Sequence, residues 1–123
     1  MEKLISFFEI PASDFSRAIR FYEAIFGIKM QVMECDTEKM AFFMEEGTEQ
    51  CVGAISCADG FLPSERGVLI HFNCEDITAT NALVERNGGK VVIPRTKILA
   101  EGRGYFSVFA DSEGNRIGLY AGK

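Results

Sequence analysis

The chain has no tryptophan, no CxxC pair among its four cysteines, a deficit of positive charge and no apolar run approaching bilayer length. Each absence excludes something. A membrane-spanning helix needs roughly 18 consecutive apolar residues, so no membrane partner is expected. Thirteen Lys+Arg against eighteen Asp+Glu give a net charge of −5. A field of that sign repels phosphate backbones and argues against a nucleic-acid partner. Cys35, Cys51, Cys57 and Cys74 lack zinc-site spacing. Met1-Glu2-Lys3-Leu4 lacks the basic flank and long apolar stretch of an export signal. The cysteines therefore read as reduced, mostly buried thiols in a cytoplasmic protein.

What is present is hydrophobic. Apolar residues make up 47% of the chain, including eleven Phe, which rules out a disordered chain or a disulfide-stapled miniprotein. A length of 123 residues suits one domain with a real core.

The chain also repeats itself. Phe7-Phe8-Glu9-Ile10-Pro11-Ala12-Ser13-Asp14 aligns without a gap on Leu69-Ile70-His71-Phe72-Asn73-Cys74-Glu75-Asp76, at an offset of 62. Lys3 to Ile10 and Gly67 to Asn73 read as strands. Asp14 and Asp76 suit helix N-caps, because a carboxylate accepts the orphan N–H groups of a first turn. Phe15, Ala18, Ile19, Tyr22 and Phe26 form one helical stripe; Ile77, Thr80, Leu83 and Val84 form a weaker one. Glycines, Gly27 and Gly88-Gly89, close both helices.

Three short strands follow each helix: Lys29 to Glu34, Lys39 to Glu45 and Gln50 to Cys57, then Lys90 to Ile93, Gly104 to Ala110 and Arg116 to Ala121. Over the last strands the offset slips to 65, matching Val52-Gly53-Ala54-Ile55 to Ile117-Gly118-Leu119-Tyr120. The expected fold is α+β: one domain of two βαβββ modules, 1–57 and 67–123, joined by a linker over 58–66. Neither half closes a core alone, so the modules pack together within one chain or across two.

Glu9-Ile10-Pro11-Ala12-Ser13-Asp14, Arg17-Ala18-Ile19-Arg20-Phe21-Tyr22, Phe26-Gly27, Asn87-Gly88-Gly89 and Asp111-Ser112-Glu113-Gly114-Asn115-Arg116-Ile117-Gly118-Leu119 occur in the order that resembles the vicinal oxygen chelate superfamily. That family includes glyoxalase, the bleomycin-resistance proteins and extradiol dioxygenases. The resemblance covers nearly the whole chain. It implies a U-shaped mixed sheet around a cavity, a homodimer, and a divalent ion held by the first and last strands of each module. Carried over, the four ligand positions fall on Phe7, Gly53, Leu69 and Gly118. None of these side chains has a lone pair, so no metal cofactor is expected.

Strand alternation then places Glu9 and His71 on the cavity face beside Phe7 and Leu69, with Tyr120 two beyond Gly118. His71 is the only histidine. One reading makes it a general base or acid, oriented by Glu9, with Tyr120 donating to substrate oxygen. The other is a structural histidine satisfied within the protein. A displaced metal site on His71 and Glu9 would have too few ligands to be strong. The two glycines leave either room for a ligand or tight sheet curvature. Phe7, Phe42, Ile55, Leu69 and Phe106 would make the cavity apolar, or are core. Arg95, Lys97 and Arg103 would receive an anionic group, or are solvated loop charges.

The favoured function is metal-free binding of a small organic molecule in an apolar cavity, in the manner of the bleomycin-resistance group. The alternatives are a metal-independent isomerase, lyase or epimerase using His71 with Glu9, and a non-catalytic dimerisation or interaction module.

Overall fold

The computed structural model describes residues 4–123. The first half comprises β1 (Phe8–Pro11), α1 (Phe15–Phe26), β2 (Gln31–Glu34), β3 (Glu38–Met44) and β4 (Cys51–Ala58). The second comprises β5 (His71–Asn73), α2 (Ile77–Arg86), β6 (Lys90–Lys97), β7 (Tyr105–Ala110) and β8 (Arg116–Ala121). Each half forms a four-stranded mixed sheet, ordered β1-β4-β3-β2 and β5-β8-β7-β6. In both, the first and last strands pair in parallel and the rest antiparallel. The fold is α+β, with two βαβββ modules in tandem.

The helices begin at the capping aspartates. Asp14 Oδ1 accepts from the Arg17 N–H and Asp76 Oδ1 from the Ala79 N–H, both at 3.0 Å. Helix α1 stops at Gly27, whose φ of 63° needs a residue without a Cβ.

A single apolar cluster draws on both halves: Phe21 and Tyr22 from α1, Ile77 and Val84 from α2, Phe109 from β7 and Leu119 from β8. Aromatic rings bridge the halves, with Phe26 4.7 Å and Phe8 5.7 Å from Phe72. A fully buried side chain of this kind is stabilised by about 1.5–3 kcal/mol relative to exposure, and separated halves would forfeit the share that is buried between them.

A polar clasp adds to this packing. The β7–β8 turn, 111–115, docks on the segment joining β1 to α1. Glu113 Oε1 accepts from the Ser13 and Asp14 N–H groups at 2.9 and 2.8 Å, and its Oε2 from Arg17 Nε at 2.7 Å. Asn115 Nδ2 donates to the Pro11 carbonyl at 2.8 Å.

Several strands depart from expectation. Strand β1 starts at Phe8, and β5 only at His71; Lys3 lies outside the described residues. The Ile70 carbonyl still accepts from the Gly118 N–H of β8 at 2.8 Å, but farther out Leu4 and Val68 are 90% exposed. Strand β6 runs on to Lys97 through Pro94, with register shifts between Val91 and Thr96. It is an edge strand, where a missing N–H and bulges are tolerated.

Candidate functional site

Ladder partners share a face of the sheet, so the registers sort the predicted residues. Phe8 opposes Gly53 and Ile10 opposes Ile55, all on the helix side of the first sheet. Glu9 opposes Ala54, which in turn opposes Phe42, on the open side. In the second sheet Phe72 opposes Leu119 on the helix side. His71 opposes Gly118, and Tyr120 lies between Asn73 and Phe106, on the open side.

Two placements are thereby corrected. Gly53 faces the helices: a Cβ there would come within 2.5 Å of the Phe8 ring, which already fills that space. Ile55 is 0% exposed and belongs to the core. The cause is the repeat offset. Glu9 maps on His71 at 62, but their partners Ala54 and Gly118 differ by 64 rather than 65. A slip of one residue reverses the face of every side chain in a strand.

The first-module counterpart of Gly118 is therefore Ala54. The superfamily's four ligand positions then read Phe7, Ala54, Leu69 and Gly118, and these side chains do not fit a divalent ion. Among the described residues no group of three or more His, Cys, Asp or Glu could hold one. The four cysteines are free thiols, Cys35 exposed and the others half-buried. Burial pushes the Cys74 thiol up from its usual range.

His71 lies flat against Gly118. Any Cβ at that glycine would collide with the imidazole Nδ1. The Phe106 ring stands edge-on, 6.5 Å from the imidazole. Together with Leu69, Asn73, Ile98 and Tyr120 these residues line an open groove of about 440 Å³. The imidazole makes no hydrogen bond or ion pair among the described residues. It is an exposed polar group within largely apolar walls.

The remaining predicted residues do not join it as expected. The Tyr120 hydroxyl donates to the Arg103 carbonyl at 2.6 Å, so its proton is committed and only its oxygen remains free to accept. Arg103 does not itself line the groove; its backbone carbonyl holds the Tyr120 hydroxyl. Arg95 stacks 3.7 Å above the Tyr105 ring, and Lys97 opposes Tyr105 rather than Phe106. Phe7 and Leu69 stand before their strands, 44% and 41% exposed.

Glu9 turns elsewhere. Its Oε1 accepts a 2.6 Å hydrogen bond from Ser56 Oγ, a side chain 1% exposed. It lines a different cavity, beneath the 58–66 linker, from the groove that holds His71. The two share a face but not a pocket. Sequence reasoning missed Ser56, although a lone hydroxyl at open-face spacing from Ala54 was the available signal. It also missed Asn73, which stands two residues beyond His71 on the same face.

The profile of the Glyoxalase/Bleomycin resistance protein/Dioxygenase superfamily matches residues 4–119. A "Glyoxylase-like domain-containing protein" from Didymella fabae is 32% identical over 123 residues, covering 90% of this chain and 88% of that protein. Among solved structures, a glyoxylase/bleomycin resistance protein/dioxygenase domain from Frankia sp. superposes with a TM-score of 0.76 at 18% identity, covering 100% of both chains. The fosfomycin resistance protein FosX from Listeria monocytogenes gives 0.70 at 19% identity, over 100% of this chain and 94% of that one. A glyoxalase I mutant from Zea mays also gives 0.70 at 17% identity; the chain spans 45% of that protein's length. With its tandem βαβββ modules and a profile match over nearly its whole length, this chain belongs to the glyoxalase/bleomycin-resistance/dioxygenase superfamily.

Proposed function

We propose that the protein binds a small organic molecule on the open face of its second sheet, without the superfamily's divalent ion. The observation that carries this reading is His71 itself. The only imidazole in the chain lies unpartnered among the described residues, in a groove of about 440 Å³ walled by Leu69, Ile98 and Phe106. A ligand there would lay an apolar body on those side chains and exchange one hydrogen bond with His71. Such a concave apolar site with few polar groups is the usual form of a small-molecule pocket. The four ligand positions without lone pairs support metal-free binding.

The catalytic alternative, His71 activated by Glu9, loses support from the Ser56–Glu9 hydrogen bond and the separate cavities. A self-filled, ligand-free module is disfavoured by the open groove. The exposed Phe7, just before β1, and Met33 of β2 suit a second copy of the chain covering the open faces, in a homodimer of a cytoplasmic protein. Among the described residues no helix is long and apolar enough to cross a membrane.

The test is a screen of aromatic and aliphatic metabolites and antibiotics, followed by ¹⁵N–¹H correlation spectra. Saturable shifts centred on Leu69, His71 and Phe106, weakened by His71→Ala, are expected. A uniform lack of saturable binding would overturn the reading. Turnover of a bound compound that vanishes in His71→Ala would restore the enzymatic one.

A further inference from the structure

The cavity beneath the linker is a site of its own. It measures about 270 Å³, lies where residues 61–68 pass over β1 and the start of β8, and shares no lining residue with the His71 groove. Its hydrocarbon walls include Leu62, Val68 and Ile117. Four charged residues also line it: Glu9, Glu65, Arg66 and Arg116. Two of them neutralise each other, with Arg116 donating to Glu65 at 3.1 Å. The other two, Glu9 and Arg66, make no ion pair with each other or with any described residue.

Both unpaired charges are held in place. Ser56 Oγ, buried, fixes one oxygen of Glu9 and leaves the other free. The Arg66 backbone is pinned by Ser64, whose Oγ accepts from the Arg66 N–H at 2.9 Å and donates to its carbonyl at 2.7 Å. Ser64 is itself tied to the β7–β8 turn, its N–H donating to Asn115 Oδ1 at 3.1 Å. A carboxylate and a guanidinium that make no ion pair among the described residues, lining one small space with apolar walls, complement a guest that carries both charges.

We propose that this cavity is a second binding site, for a small zwitterion whose ammonium pairs with Glu9 and whose carboxylate pairs with Arg66, with its hydrocarbon part against Leu62 and Val68. The assignment stands independently of the His71 groove.

The experiment titrates 6-aminohexanoate into the full chain, with hexylamine and hexanoate as single-charge controls, and reads amide shifts. Saturable shifts at residues 61–68 and at Asn115 are expected. Glu9→Gln and Arg66→Gln should each weaken the zwitterion about tenfold, the loss of one charge-assisted hydrogen bond. His71→Ala should leave its affinity unchanged. Absence of saturable shifts at those amides would overturn the proposal, as would hexylamine binding as tightly as 6-aminohexanoate. Shifts that fall instead on Leu69, His71 and Phe106 would also overturn it, by assigning the guest to the other groove.

Discussion

The Tyr22 hydroxyl donates a 2.6 Å hydrogen bond to Asp111 Oδ2 across 89 residues of sequence, inside the core. One residue belongs to the helix of the first module and the other to the last turn of the second, so this bond reports directly on their docking. Asp111 is otherwise satisfied by the Glu113 and Asn115 N–H groups and by Asn115 Nδ2. Burial pushes the Asp111 carboxyl above its ordinary range despite these donors, and pushes the Tyr22 phenol well up.

Tyr22→Phe removes a donor from a buried carboxylate while keeping the ring. The expected cost is about 1–3 kcal/mol, the penalty for a buried group left short of a partner. Urea unfolding measures it. A variant as stable as the parent would show that the bond contributes nothing to docking.

Gly53 and Gly118 should respond differently to alanine. At Gly53 the new methyl meets Phe8, itself packed against Phe43 and Phe72, so overpacking by about 1–3 kcal/mol is expected. At Gly118 its three nearest atoms all belong to the exposed His71 ring, which can rotate away. Stability should therefore fall by less than at Gly53, because an exposed ring can yield where the packed Phe8 ring cannot, while the imidazole resonances of His71 move. Equal losses at both glycines would contradict their assignment to opposite faces.

Acid should loosen the clasp. Burial raises the Glu113 carboxyl, but the hydrogen bonds from Arg17, the Asp14 N–H and Ser112 outweigh it and hold the group below its usual range. Its stabilising contribution is thus complete above the ordinary carboxylate range and lost as pH falls through the lower folded value. Asp111 runs the other way: with a raised folded value, its contribution is complete at low pH and declines as pH rises. The stability gap between the parent and Glu113→Gln should be widest near neutrality and narrow toward about pH 3, below the usual carboxylate range. A gap that stays constant over that range would remove Glu113 from the acid response.

Metal content offers a further check. Protein purified without chelator should carry no stoichiometric divalent ion, and nickel, manganese, iron or zinc should leave its melting temperature unchanged. A tight ion at about one per chain would raise that temperature by mass action and point to a site using His71.

Much of the architecture was legible because it rests on local chemistry. Asp14 and Asp76 cap helices through their own carboxylates, and the stripe from Phe15 to Phe26 has one period and one solution. The candidate site was less legible because it depends on strand register. The similarity of Val52-Gly53-Ala54-Ile55 to Ile117-Gly118-Leu119-Tyr120 suggested an offset that the ladders do not keep, and that placed Gly53 and Ile55 on the wrong face. Bonds between distant residues left no local trace. Nothing around Glu9 announces Ser56, nothing around Tyr120 announces the Arg103 carbonyl, and nothing in residues 111–115 announces their bonds to Ser13, Asp14 and Tyr22.

That turn has a consequence for how the protein is made. The N–H groups of Ser13 and Asp14 and the hydroxyl of Tyr22 find their partners in residues 111–115, which are translated 89 to 100 residues later. A nascent chain halted before them holds an apolar first module whose helix start and buried phenol lack their acceptors. Those acceptors are supplied only once the β7–β8 hairpin has left the ribosome. Truncation before residue 111 should therefore cost the first module part of its native packing, although no residue of that module has been removed.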